Sequence, residues 1–288
     1  MKICVECRGP VGEDWQCSGC GHAPHKCGVV LSFLTETQED DGFRAEYFSQ
    51  LAAVEGGHFW FRARNRLLIW ALVKYFPGAT SFLEIGCGTG FVLAGIHQHS
   101  PALKVAGSEL FRAGLDCAAE RVPSALLFQI DARRLPFDRE FDVIGAFDVL
   151  EHIEQDDVVL KEMFRATKPG GGILLTVPRH PFLWSEVDAY SFHKRRYIGS
   201  EMKQKLSAAG FRLIRMTSFV TFLMPMMMLS RLCRKSSSES FDPLSEFRIG
   251  RGLDAALETV MNVERRIIQS GVSLPAGGSL LAVARRDE

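Results

Sequence analysis

Two groups of residues in this chain have the types and spacing to do chemistry. The first is Cys4-x-x-Cys7, followed after nine residues by Cys17-x-x-Cys20 and Gly21. Paired thiols at this spacing form two knuckles that can close around one tetrahedral zinc ion. Gly9-Pro10 and Gly19 supply the turns such knuckles need. Two disulfides, or thiols with no ligand role, are the competing readings. Zinc is preferred because the segment is too short to build a core of its own. His22, His25 and Cys27 follow closely and are read as surface residues, since four thiolates complete the shell. A metal with four protein ligands has no open position, so this Zn2+ is structural. The second group is LEIGCGTG (83–90), an apolar run carrying Glu84 and then Gly86, Gly88 and Gly90. No lysine follows Gly90, which argues against a triphosphate loop, and Phe91 stands where a dinucleotide fingerprint places its third glycine. What remains is a loop that lets backbone approach a ligand closely with an acid beside it, an arrangement that suits a cation.

The surrounding residues must position that loop. FLEI (82–85), VAGSE (105–109), ALLFQI (125–130), FDVIGAF (141–147) and GILLTV (172–177) read as buried strands. Helical patterns follow Gly90 and Phe111, and another runs from Asp156 to Lys168. This alternation predicts a parallel sheet covered on both faces, with ligands at the carboxyl ends of its strands. Upstream, Leu67, Leu68, Ala71, Leu72 and Tyr75 recur at helical spacing until Pro77-Gly78. His58 to Phe61 with Arg62, Arg64 and Arg66 could stack on nucleic acid, but an amphipathic helix with snorkelling arginines is the preferred reading.

At this point the chain resembles the class I S-adenosylmethionine-dependent methyltransferases, over about residues 60 to 215. LEIGCGTG looks like their first motif, which wraps the methionine portion of S-adenosylmethionine. By that resemblance Glu84 faces the cofactor's amino group, and Gly86, Cys87, Gly88 and Gly90 line the loop. Cys87 itself is read as a small packing residue rather than a nucleophile. Glu109, ending VAGSEL with Leu110, sits where the family places the acid that takes both ribose hydroxyls. In QIDARRLPF (129–137), Asp131 is expected to accept from the adenine amino group and Ala132 to offer its backbone N–H. Phe147 and Asp148 end the fourth strand beside the cofactor. Glu151 and His152 follow in AFDVLEHIEQDD, where the family lines the cavity near the methyl group. A histidine's ordinary pKa near 6.5 suits it to taking a proton, so His152 is the first expected base. A histidine packed against the cofactor or capping a helix is the equal alternative. After the fifth strand, HPFLWSEVDAYSFHKRRY (180–197) should cover the acceptor. It brings His193 and Tyr197 as further catalytic candidates, and Arg195 and Arg196 as holders of an anionic group or a solvated helix approach.

The expected architecture is therefore α/β, a Rossmann-like, mostly parallel seven-stranded sheet with helices on both faces. The expected division is a zinc ribbon at 1–30, a linker and N-terminal helices at 31–80, and the methyltransferase domain at 81–288. Within the last, SAAGFRLIRMTSF (207–219) and GGSLLAVARR (277–286) read as the sixth strand and an antiparallel seventh, with a helical insertion at about 220–275. FLMPMMMLSRLCRK (222–235), interrupted by Pro225, is too short to cross a bilayer. Roofing an apolar acceptor, lying in a membrane interface, packing as core and forming a homodimer contact all stay open for it. SSSESFDP reads as a connector, and the stretch after it as one helix with Ala256, Val260, Val263 and Ile267 on one face. Lys plus Arg and Asp plus Glu both total 34 in 288 residues, with a pI near 7.1. Neutrality makes nucleic acid the less favoured partner. The opening residues lack a signal-peptide pattern, so a cytoplasmic location is expected. The leading expectation is methyl transfer to a small-molecule or lipid- or saccharide-linked acceptor. The alternatives are an RNA methyltransferase that recognises substrate through its ribbon, and a cofactor-binding scaffold without turnover.

Overall fold

A computed structural model of the chain describes residues 1–34, 46–233 and 249–288. The polar stretch 35–42, the connector 236–243 and the basic pair at 234 and 235 lie outside the described residues. The elements run β1 (His25–Cys27), β2 (Val30–Ser32), α1 (Glu46–Glu55), α2 (Phe59–Tyr75), β3 (Ser81–Ile85), α3 (Phe91–His99), β4 (Lys104–Glu109), α4 (Arg112–Arg121), β5 (Leu126–Gln129) and β6 (Phe141–Phe147). They continue through α5 (Asp156–Ala166), β7 (Thr167–Pro178), α6 (Glu186–Tyr190), α7 (Gly199–Ala208), β8 (Arg212–Phe219), α8 (Met224–Cys233), α9 (Arg251–Gln269) and β9 (Ser279–Arg285).

The strands form one sheet in the order β1-β2-β5-β4-β3-β6-β7-β9-β8. The seven expected strands are β3 to β9, and β9 is antiparallel to both neighbours. Two short strands extend the β5 edge. β2 pairs with β5 in parallel, Val30 opposite Leu127 and Ser32 opposite Gln129, and the Ser32 hydroxyl donates to Gln129 Oε1 at 3.0 Å. An open edge is a template for unwanted pairing, and β2 covers this one. The expected boundary after residue 30 thus falls inside a strand that belongs to the sheet.

Residues alternate between the two faces of each strand. Phe82, Val143 and Phe147 join a core with α2, α3, α4 and α9. Leu83, Ile85, Ile144 and Ala146 join the opposite core with α5 and α7. The same alternation turns Glu84 toward the α2 face.

The N-terminal ribbon is docked on the domain. Ile3 N donates to Pro136 O at 3.0 Å, and Lys2 bridges to Phe137. Arg134 Nη2 donates to Val5 O at 3.0 Å, and Arg8 reaches Leu135 O and Glu162. Trp15 packs edge-on against Phe33, Phe128 and Phe137 at 5.2 to 6.0 Å. Such aromatic pairs contribute about 0.5–1.5 kcal/mol each beyond area burial, so this anchor is comparable to a small core.

Two helices differ from their sequence patterns. Pro225 starts α8 rather than interrupting it, occupying the first turn, where a missing N–H costs nothing. The buried face of α9 is Asp254, Leu257, Met261, Glu264 and Ile268. Ala256 and Val263 are exposed. The face is rotated because two acids bind backbone inside it. Glu264 accepts from the amides of Val220, Thr221 and Phe222 at 2.6 to 2.9 Å, and Asp254 accepts from Phe59 N at 2.7 Å. Among the described residues no helix is long and apolar enough to cross a membrane.

Candidate active site

The carboxyl ends of β3, β4, β5, β6 and β7 bring the expected residues to one edge. Between β3 and α3 the backbone turns three times into the left-handed region, at Gly86, Gly88 and Gly90 with φ of +64°, +50° and +74°. Side chains would also collide there. A Cβ on Gly86 would lie 2.5 Å from Val149 Cγ2, and one on Gly90 2.9 Å from Ala118 Cβ. Cys87 is buried against Gly107, and burial pushes its thiol well above the usual range. Its side chain packs between the loop and β4.

Glu109 ends β4 and turns back onto this loop. Its carboxylate accepts from Gly88 N at 3.0 Å, Leu110 N at 2.7 Å and Phe111 N at 3.2 Å. Burial raises its pKa, and the three amides pull it back. Leu110 and Ala132, which follow β4 and β5, are half-buried. Asp131 is held by Arg133, Nε at 3.0 Å and Nη2 at 2.6 Å, and by the Arg133 amide at 2.9 Å.

The floor of the edge is different. Glu84 is 3% exposed, and its Oε2 has no hydrogen-bond partner among the described residues. Burial holds its carboxyl well above the usual range, Arg64 pulls it down, and Glu55 and Glu109 push it further up. Asp148 follows Phe147 with φ of +60°, and its carboxylate pairs with Arg64. Next come Leu150 to His152, one turn of 3₁₀ helix. Glu151 is fully buried, neither carboxylate oxygen has a hydrogen-bond partner among the described residues, and burial with the Asp148 charge raises its pKa well above the usual range against the pull of Arg64 and Arg196.

His152 meets His193 edge-on, ring centroids 4.7 Å apart. Burial, with a smaller push from His193, lowers His152 to about 3. Its ring is therefore neutral near pH 7 and a weak base. His193 Nδ1 lies 2.9 Å from Asp188 Oδ1. Burial alone would raise Asp188, but His193 and the bidentate Arg196 outweigh it and hold that carboxyl well below its usual range. Arg196 is thus an internal partner of Asp188. Arg195 pairs with Asp156 at 3.1 Å.

Tyr197 does not join this edge, a correction to its expected catalytic role. It is fully buried in the α5 and α7 core, its hydroxyl donates to Asp156 at 2.7 Å, and burial with that bond raises its pKa.

Three contributors escaped the sequence reading. Arg64, 9% exposed, is the cation facing Glu84, Asp148 and Glu151, and it stacks on Trp60 at 4.4 Å. It lies one turn before Leu67 and Leu68 on the buried face of α2, and that periodicity was the available signal. Arg62 and Arg66 are paired with Asp254 and Glu258 of α9, so these arginines bind protein carboxylates. Finally, α1 lies over the glycine loop. Its Glu55 accepts from Thr89 and Arg121, and Phe48 sits 3.7 Å from where a Gly88 Cβ would be.

The four ribbon thiols also converge. Cys4, Cys7, Cys17 and Cys20 bring their Sγ atoms within 4.8 Å of one another, and Glu6 N donates to Cys4 Sγ at 3.4 Å.

Residues 83–175 match the methyltransferase domain family. The chain carries a class I S-adenosylmethionine-dependent methyltransferase domain. The domain is 34% identical over 98 residues to the ubiquinone/menaquinone biosynthesis C-methyltransferase UbiE of Desulfotalea psychrophila, covering 33% of this chain and 40% of that one. It is 26% identical over 160 residues to a probable S-adenosylmethionine-dependent methyltransferase of Mycolicibacterium smegmatis, covering 54% and 60%. The chain thus spans 40% to 60% of the length of these relatives. The methyltransferase fold is also similar to that in a complex between the Haloferax volcanii Trm112 methyltransferase activator and the putative methyltransferase. That match has a TM-score of 0.56 and 17% identity, covering 84% of this chain and 98% of the other.

Proposed function

We propose that this protein transfers a methyl group from S-adenosylmethionine to a small-molecule or lipid-linked acceptor. The observation that carries the reading is the buried acidic floor beside the glycine loop. Glu84, Asp148 and Glu151 share Arg64 as a buried cation, with Arg196, itself paired with Asp188, also acting on Glu151, and a ligand bearing an ammonium and a sulfonium complements this acid-rich surface. The residues fit the cofactor. Gly86, Cys87, Gly88 and Gly90 let backbone approach it, and Glu84 Oε2, without a hydrogen-bond partner among the described residues, suits its amino group. Glu109 offers a carboxylate already aligned by three amides for two ribose hydroxyls. Asp131 and the Ala132 amide take the adenine edge, with Leu110, Phe147 and Asp148 completing the wall. When bound, the cofactor supplies a methyl group on a good, neutral leaving group. The protein's task is then in-line positioning and exclusion of water.

On the acceptor side, Glu151, His152 and His193 stand together. His152 serves there as a neutral donor or acceptor rather than as the general base, because burial takes it to about 3. His193, held by Asp188, is the oriented member. An apolar acceptor is supported by Phe182, Trp184 and Phe192 on the segment after β7, and by Phe222, Met226 and Leu229 after β8, all exposed. Both segments leave the same edge, because β8 runs parallel to β7 across the intervening β9. The relative UbiE is named for ubiquinone and menaquinone biosynthesis, which agrees with such an acceptor. The same exposed side of α8 suits peripheral contact with a membrane surface.

At the ribbon, the four converged thiols and the amide-to-sulfur bond suit a structural Zn2+ with a closed shell. The test of the whole reading is incubation with methyl-labelled S-adenosylmethionine and host extract, then separation of lipid, RNA and aqueous fractions. Label in lipid or small molecules is expected. Label in RNA would make the ribbon the substrate reader, and tight cofactor binding with no labelled product would leave a scaffold.

A further inference from the structure

The Glu151, His152 and His193 cluster has a composition that proton transfer alone does not explain. Each residue offers one ligand atom, and the three atoms lie within 4.8 Å of one another. Glu151 is 0% exposed, and neither of its carboxylate oxygens has a partner among the described residues. A buried, unpartnered carboxylate is expensive to keep unless a cation completes it. Arg64 is already committed to Asp148 and to the Trp60 ring. Arg64 and Arg196 act on Glu151 through their charges, but Arg196 is likewise committed to Asp188, and the side chains whose ligand atoms come within 4.8 Å of it are the imidazoles of His152 and His193.

We propose that Glu151, His152 and His193 bind a divalent transition-metal ion beside the acceptor pocket, resting on the methyltransferase reading for what that ion then does. Two imidazole nitrogens and one carboxylate favour Mn2+, Fe2+, Co2+ or Zn2+ over Mg2+ or Ca2+, which prefer all-oxygen shells. Metal–ligand bonds of about 2.1 Å put two ligand atoms at most about 4.2 Å apart, so the cluster needs to close by about half an ångström. Side-chain rotation in the 3₁₀ turn supplies that movement.

The surroundings match a metal site. A ligating histidine characteristically gives its other ring nitrogen to a carboxylate, which fixes its tautomer. His193 Nδ1 does this with Asp188, itself locked by Arg196 and the Ser185 hydroxyl. Asp188 is therefore a positioning residue, and Nε2 is left as the His193 ligand atom. Three protein ligands leave coordination positions open, unlike the ribbon. The ligand class that would fill them is an oxygen of the acceptor, a hydroxyl or carboxylate, whose pKa the ion would lower.

The test uses tag-free, full-length protein with its ribbon loaded with zinc, titrated with Co2+, alongside calorimetric titration with S-adenosylmethionine. One added equivalent of Co2+ is expected, with the weak visible bands of nitrogen and oxygen ligands and no thiolate charge-transfer band. Glu151→Gln and His193→Ala should each weaken it at least 100-fold, and Asp188→Asn about 10- to 100-fold. A titration that gives only thiolate bands, or no binding, with cofactor affinity intact overturns the metal site and leaves the proposed function standing. Loss of cofactor binding in the wild type would instead sink the methyltransferase reading. Where Glu151→Gln fails to fold, His152→Ala decides, and unchanged Co2+ affinity in it also overturns the proposal.

Discussion

The rim and the floor of the cofactor edge treat their carboxylates in opposite ways. On the rim, Glu109 is bound by three amides and Asp131 by Arg133. On the floor, Glu84 and Glu151 are buried with oxygens that have no hydrogen-bond partner among the described residues, and they share the charge of Arg64, with Arg196 also acting on Glu151. The rim acids are aligned by bonds that offset part of the cost of burial, which still leaves Glu109 raised, whereas the floor acids lack such bonds and would gain most from a cationic ligand. Orientation and affinity are thus divided between two sets of acids that look alike in sequence.

Removing the shared cation should break this division most severely. Arg64→Ala leaves three acids without their counter-charge and should cost about 3–5 kcal/mol of stability by chemical denaturation, the usual penalty for breaking a buried pair. Rim acids should report on binding instead. Glu109→Ala removes two charge-assisted contacts to the ribose, each worth about 1.5–3 kcal/mol at most, and should weaken S-adenosylmethionine on the order of 100-fold by calorimetry. Asp131→Ala should cost about tenfold, with stability changed by less than about 0.5 kcal/mol, because its ion pair is partly exposed.

The floor should do the reverse. Glu84→Gln is expected to weaken the cofactor yet raise stability by about 1 kcal/mol at pH 8. The sign follows from the raised pKa. The unfolded carboxyl releases its proton near 4.5 while the folded one keeps it to higher pH, so the folded state binds more protons and stability falls as pH rises above that value. The variant should flatten this slope, and an unchanged slope would refute the assignment. The smallest effect should come from the ribbon. Stripping zinc with a chelator loosens the contacts to Leu135 and Pro136 that follow Asp131, and should reduce cofactor affinity a few-fold.

The strands β3 to β7 were legible because a buried parallel strand is a short apolar run between turns. The glycine loop and the acids at the ends of β3 and β4 were legible because glycine and a strand-end carboxylate have few other uses together. Arg64 was not, because a charged residue on a helix reads as solvent-facing until its carboxylate partner, 84 positions away, is placed opposite. The rotated face of α9 was missed for the same reason: Asp254 and Glu264 are interior residues, bonded to amides far along the chain. Tyr197 shows the converse error, a polar aromatic beside charged neighbours whose body belongs to the core. Side-chain partners distant in sequence, rather than local pattern, decide these positions.

The pairing of β2 with β5 has a consequence in time. Ser32 and its partner Gln129 are 97 residues apart. At synthesis rates of about 5–20 residues per second, the ribbon is complete roughly 5–20 s before its docking strand exists. During that interval its four cysteines are without the sheet on which the ribbon docks. An ion at the proposed ribbon site would therefore be captured first, and the methyltransferase domain would assemble onto a piece already folded.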